Sequence, residues 1–235
     1  MAKKNKDISS SNLIKVKPIT EGQKSVFETW KKGLNQFLFG CAGTGKTFIS
    51  LYLAMQDVLN LQTKYEKVIL VRSLIPTREI GFLPGDEEDK AALYQVPYQN
   101  MVKFMFEQPN EQAFNMLYDR LKSQGSLYFL STSFLRGLTF DNSIIIVDEC
   151  QNLNFHELDT ITTRVGQDSK IIYCGDFSQT DLLKQNERNG LHDFLRILEE
   201  MQEFNCVEFN IGDIVRSGFV RNYLIQKTKL GMGME

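Results

Sequence analysis

Apolar runs of strand length alternate with longer stretches of helical periodicity along most of this chain. The runs at 36–39, 67–72, 126–130, 143–147, 170–174 and 206–209 predict six strands. Helical spacing predicts helices near 23–33, 46–60, 97–121, 155–164, 189–203 and 215–227. Such alternation signals an α/β fold, a mostly parallel central sheet with helices on both faces. Ile144-Ile145-Ile146-Val147 is continuously apolar and β-branched, as a central strand buried on both faces requires. Residues 1–17 are rich in Lys, Asn and Ser with few apolar anchors, and predict a disordered basic tail. A single domain over 18–229 and a short tail over 230–235 is the economical division, because no Gly/Ser- or Pro-rich linker interrupts the pattern. The segment 73–96 breaks the alternation with two prolines and two glycines. Long loops in compact domains commonly carry function.

Composition narrows the picture little. At 235 residues the chain suits one substantial domain, and 42% hydrophobic with 24% charged residues is ordinary for a globular protein. A formal net charge of −2 argues against a surface built throughout to attract nucleic acid, while leaving local patches open. No apolar run approaches the roughly 20 residues needed to span a bilayer. The polar start has no apolar stretch behind it, so no secretory signal is read and a cytoplasmic protein is expected. Four cysteines without a C-x-x-C pair, and two distant histidines, point to small buried residues rather than a zinc site.

The chemistry concentrates at three strand ends. Phe37-Leu38-Phe39 runs into Gly40-Cys41-Ala42-Gly43-Thr44-Gly45-Lys46-Thr47, and a helical pattern follows. This is G-x-x-x-x-G-K-[ST] in the strand-then-helix setting it needs. The glycines let backbone N–H groups turn inward around phosphate oxygens, and the helix adds the positive end of its dipole. Lys46 is expected on the β- and γ-phosphates of ATP and the Thr47 hydroxyl on Mg²⁺. The second site is Ile144-Ile145-Ile146-Val147-Asp148-Glu149, in which Asp148 is expected to hold Mg²⁺ and Glu149 to orient and polarise the attacking water. An intervening strand plus a catalytic glutamate marks the RecA-like class of P-loop NTPases, and the run at 126–130 lies just ahead of Asp148. The third is Gly175-Asp176-Phe177-Ser178-Gln179-Thr180-Asp181, where Gln179 is placed to sense the γ-phosphate or the attacking water.

With these motifs placed, the chain resembles the PhoH-like family, single-core relatives of superfamily 1 helicases. Gly81-Phe82-Leu83-Pro84-Gly85-Asp86 is similar to the family's GFLPGD loop and Arg136-Gly137-Leu138-Thr139-Phe140 to its RG-x-T segment. Asp148-Glu149-Cys150-Gln151-Asn152 resembles DEAQN, with Cys where Ala is usual. Thr163-Arg164-Val165-Gly166, Ser169-Lys170 and Asp213-Ile214-Val215-Arg216 continue the same order. No match to the nuclease domain fused in some relatives is seen. The resemblance implies that Gln23 reads the adenine edge, since a side-chain amide both donates and accepts.

Developing charge on the γ-phosphate also needs a cation, and an arginine finger is worth about 10³–10⁵ in rate. Two-domain helicases take it from their second RecA-like domain. Here it must come from elsewhere in the chain or from a neighbour, and a homo-oligomeric ring, a hexamer by resemblance, would supply one. Arg216 is the first candidate and Arg164 the second. Arg72, Arg78, Phe82, Arg136 and Phe140 mix cations and aromatics in loops at one sheet edge, a combination able to grip single-stranded RNA or DNA. Two readings stand: an ATP-driven nucleic-acid motor or remodeller, and an ATP-dependent switch acting on protein partners.

Overall fold

The structure is a computed structural model that describes residues 7–73, 87–132, 135, 137–177 and 190–230. Six strands form one sheet: β1 (Asn35–Gly40), β2 (Lys67–Arg72), β3 (Leu127–Ser131), β4 (Ser143–Val147), β5 (Lys170–Cys174) and β6 (Phe204–Phe209). Their order is β3-β2-β4-β5-β1-β6, and every neighbouring pair is parallel. Parallel neighbours put all strand C-termini at one edge, where open α/β sheets bind ligands. The strand separating β1 from β4 is β5. The segment just ahead of Asp148 in sequence, β3, takes the outer edge instead.

Side-chain alternation sorts each strand into two cores. Leu38, Val68, Leu70, Ile144, Ile146 and Ile172 face one way. That face is covered by α1 (Glu21–Lys31), α2 (Lys46–Val58), α3 (Glu87–Phe106) and α4 (Glu111–Ser123). Phe37, Phe39, Ile69, Ile145, Ile171 and Tyr173 face the other way, under α5 (Phe155–Thr162) and α6 (Leu191–Glu200). A last helix, α7 (Gly218–Lys229), follows β6. Burial on both faces explains the continuous apolar runs inside β2, β4 and β5, whereas the edge strands β3 and β6 are partly exposed.

Two expectations are corrected. The single helix expected over 97–121 is two helices. Glu107 breaks it with φ of 45°, Pro109 follows, and the Asn110 side chain caps α4 by accepting from the Ala113 N–H. Residues 7–17 do not behave as a free tail. Ile8 and Leu13 are buried in the first core, the Ser10 N–H donates to the Leu59 carbonyl, and the Ile14 N–H donates to that of Met105. Two apolar anchors and two backbone bonds suffice to hold this short stretch. Among the described residues no helix is long and apolar enough to cross a membrane.

Candidate nucleotide-binding site

β1 ends at Gly40, where φ is 115° and an added Cβ would lie 2.0 Å from the Phe209 carbonyl oxygen. Glycine alone lets the backbone approach the end of β6 this closely. The Cys41 N–H donates to that same carbonyl at 2.8 Å. The chain then turns through Gly43 and Gly45, both at positive φ, into α2. Gly45 supplies no side-chain cap, so the first-turn N–H groups of α2 face the loop without one. That cradle fits a phosphate group.

Lys46 opens α2 and is buried. Its ammonium donates to the Cys41 carbonyl at 2.8 Å, the Gly40 carbonyl at 3.2 Å and Thr44 Oγ1 at 3.3 Å. It also pairs with Asp176 Oδ1 at 2.7 Å. Asp176 belongs to the third motif, so the pair joins the P-loop to the end of β5.

Asp148 follows β4 and is 7% exposed. Its N–H donates to the Val71 carbonyl at 3.0 Å, which fixes the backbone against β2. The Thr47 hydroxyl donates to Oδ1 at 2.7 Å, and the Tyr98 hydroxyl, from α3, donates to Oδ2 at 2.7 Å. A hydroxyl and a carboxylate in contact are hard oxygen donors of the kind Mg²⁺ takes, so the pair fits that ion.

Glu149 sits at φ 54°, ψ 42°, a left-handed conformation costing a non-glycine residue of order 1 kcal/mol. The Gln151 amide holds it, donating to Oε2 at 2.5 Å while its own Oε1 accepts the Asp176 N–H at 3.1 Å. Burial raises the Glu149 pKa, the charges of Asp148 and Asp176 push the same way, and Gln151 and Arg72 pull back. A carboxyl shifted upward is a stronger base once ionised.

The loop after β6 closes over this edge. The Val215 N–H donates to the Gly43 carbonyl at 3.1 Å, and a Cβ on Gly43 would lie 2.8 Å from Arg216 Cγ. Arg216 therefore packs on the P-loop of its own chain. Asp213, 4% exposed, ties this loop to α1 by accepting the Gly22 N–H at 2.9 Å. Gln23 is committed to backbone as well. Its Oε1 accepts the Ile19 N–H at 2.9 Å and its Nε2 donates to the Thr44 carbonyl at 3.1 Å. The amide expected to read adenine thus also bonds the P-loop backbone at Thr44. The cavity enclosed, about 730 Å³, adds apolar walls from Ile19, Phe48, Met101 and Val215.

The structure divides the remaining expected residues. Arg72 lines this same cavity beside Tyr98, with its guanidinium 5.5 Å from the Tyr94 ring centre. It stands beside Asp148 and Glu149. Phe140 is a core residue, 7% exposed and bridged to Val165. Arg164 precedes β5, at the opposite edge from the P-loop, and its guanidinium bonds Thr160 and Thr163. Arg78, Phe82, Arg136 and Gln179 lie outside the described residues. Sequence reasoning assigned no role to Tyr98, Gln151, Asp176 or Asp213. Three of these lay inside quoted motifs, whereas Tyr98 carries no local signal.

Fold and site together define a RecA-like P-loop protein. The likeness extends to the large terminase of a thermophilic bacteriophage, 12% identical with a TM-score of 0.51, over 90% of this chain and 50% of that one. The chain belongs to the PhoH-like family, whose profile, described as PhoH-like protein, matches residues 15–226. A PhoH-like protein of Synechocystis is 32% identical over 207 residues, covering 88% of this chain and 60% of the relative. Protein PhoH of Escherichia coli is 32% identical over 190 residues, covering 80% and 51% respectively. The chain thus spans between half and three fifths of the length of these relatives.

Proposed function

We propose that this protein binds ATP with Mg²⁺, hydrolyses it, and couples turnover to movement along or remodelling of single-stranded RNA or DNA. The observation that carries the ATPase reading is the convergence of Thr47, Asp148 and the half-buried Glu149 across a P-loop whose lysine faces the same space.

The P-loop N–H groups and the α2 N-terminus hold the phosphates, and Lys46 leaves Asp176 for the β- and γ-oxygens. Thr47 and Asp148 would hold Mg²⁺, which neutralises charge on the phosphate oxygens. Glu149 orients the attacking water and accepts its proton, held in place by Gln151. Gln179 reports the γ-phosphate to the adjacent loop. Arg216, already packed on Gly43, is the first choice for the cation that meets developing charge. Arg164, at the far edge of the sheet, could serve only a neighbouring subunit, in a head-to-tail homohexameric ring.

Arg78, Phe82 and Arg136 are the residues offered to nucleic acid, on the strength of their motifs. A second reading, an ATP-dependent switch for protein partners, is favoured by α7, where Phe219 is 86% and Tyr223 58% exposed. ATP turnover measured with and without single-stranded RNA or DNA at low salt separates the two. Stimulation supports the motor. Turnover without stimulation or binding removes the motor and leaves the switch. No Mg²⁺-dependent turnover overturns the proposal.

A further inference from the structure

α3 crosses the edge of the sheet where β2 and β4 end, and it delivers a tyrosine into the acid pair. Tyr98 is 1% exposed, and its hydroxyl donates to Asp148 Oδ2 at 2.7 Å. The other oxygen of that carboxylate takes the Thr47 hydroxyl, also at 2.7 Å. Arg72 lies beside the same phenol, close enough for its charge to act on both Tyr98 and Asp148. Tyr94, one helical turn earlier on α3, stacks its ring beside the same guanidinium. Each of these groups is on a rigid element: Arg72 on β2, Asp148 on the end of β4, and both tyrosines on α3.

We infer that Tyr98 is a positioning residue for Asp148, fixing the carboxylate in the orientation that holds Mg²⁺ against Thr47. A carboxylate nearly out of water needs its lone pairs satisfied, and without a second donor it is free to rotate about its Cβ–Cγ bond. The Tyr98 hydroxyl removes that freedom from one side while Thr47 faces the other. The charge-assisted bond to Asp148 is of the strong class, and Arg72 polarises the phenol further in the same direction. Partners of this kind behind a metal ligand typically change metal affinity by about 10–100-fold when removed. The consequence is that the seating of α3 sets how tightly Asp148 and Thr47 hold the ion.

This inference rests on the proposed Mg²⁺–nucleotide site, and one titration distinguishes failure of either. Tyr98→Phe deletes the hydroxyl and keeps the ring that packs on Phe129. Binding of a fluorescent ATP analogue is followed across a Mg²⁺ series and again with the metal chelated, with the melting temperature as a check on folding. The expected result is an apparent Mg²⁺ affinity weakened about 10-fold or more, with metal-free nucleotide binding within about twofold of the wild type. Arg72→Met should weaken Mg²⁺ affinity in the same direction and by less. A Tyr98→Phe protein that melts like the wild type and keeps its Mg²⁺ dependence overturns the inference while leaving the nucleotide site standing. A wild type whose nucleotide binding ignores Mg²⁺ overturns both.

Discussion

The pairing of Lys46 with Asp176 sets up a competition between a carboxylate and the γ-phosphate for one ammonium. Asp176→Asn keeps the shape of the side chain and removes its charge. Lys46 would retain three oxygen acceptors, at Gly40, Cys41 and Thr44, so the fold should survive. The Lys46 side chain is 4% exposed but that of Asp176 is 41% exposed, and solvent screens the pair accordingly. Its strength belongs near the top of the range for surface pairs, about 1 kcal/mol. ATP binding must break that pair, so the variant should bind ATP about fivefold more tightly. Asp176 also helps raise the pKa of Glu149, and its charge is absent in the variant. Hydrolysis needs ionised Glu149, so the acidic limb of its pH profile should move to lower pH. The assay is equilibrium binding of a fluorescent ATP analogue in both proteins, with single-turnover hydrolysis from pH 5 to 8. Weaker binding by a well-folded Asp176→Asn protein would refute the competition and make Asp176 part of the nucleotide grip.

Arg216→Ala should abolish hydrolysis while leaving ATP affinity within a few-fold, read by comparing turnover with nucleotide binding; lost binding would assign Arg216 to the grip instead. Lys170 supplies a pH-dependent stability test. Burial lowers its pKa from 10.5 to about 8, and the ammonium sits 4.1 Å from the Trp30 ring centre while donating to the Trp30 carbonyl. Below pH 8 both folded and unfolded chains are charged, and the desolvation cost is fully present. Between pH 8 and 10.5 only the unfolded chain is charged, so wild-type stability rises relative to Lys170→Met by up to about 3 kcal/mol. Denaturant unfolding of both proteins from pH 7 to 10.5 should show that gain of the wild type over Lys170→Met. Tyr65, whose pKa is raised chiefly by burial, acts in the opposite direction but is common to both proteins.

What could be read from the sequence was what is written in consecutive residues. The P-loop is eight residues whose glycines and helix start define their own geometry, and β4 declares itself by four consecutive β-branched apolar residues, Ile144 to Val147. The order of strands was less legible. The placement of β5 between β1 and β4 depends on how crossovers pack, and sequence proximity wrongly suggested that 126–130 intervened. The break between α3 and α4 carries a local mark, Pro109 followed by the N-cap residue Asn110, but the apolar spacing of the two flanking segments reads as one helix when taken together. Within the site, the miss follows the same rule. Asp148 meets Thr47 across 101 residues and Tyr98 across 50, and nothing local to Tyr98 announces the contact. Arg72 looked like a loop cation for nucleic acid because its partners, Tyr94 and Tyr98, lie on a helix that the sequence does not place beside it. Gln23 shows the converse. Its motif was legible, yet its amide is bonded to Ile19 and Thr44, a use set by how α1 docks on the P-loop.

The central claim is that Glu149 activates water for ATP hydrolysis. Glu149→Gln keeps the size of the side chain and removes the proton acceptor, so single-turnover hydrolysis measured beside ATP affinity isolates the chemical step. The account predicts ATP affinity preserved within a few-fold and hydrolysis slowed by about 10²–10⁴. Hydrolysis by Glu149→Gln at a rate close to that of the wild type would contradict it.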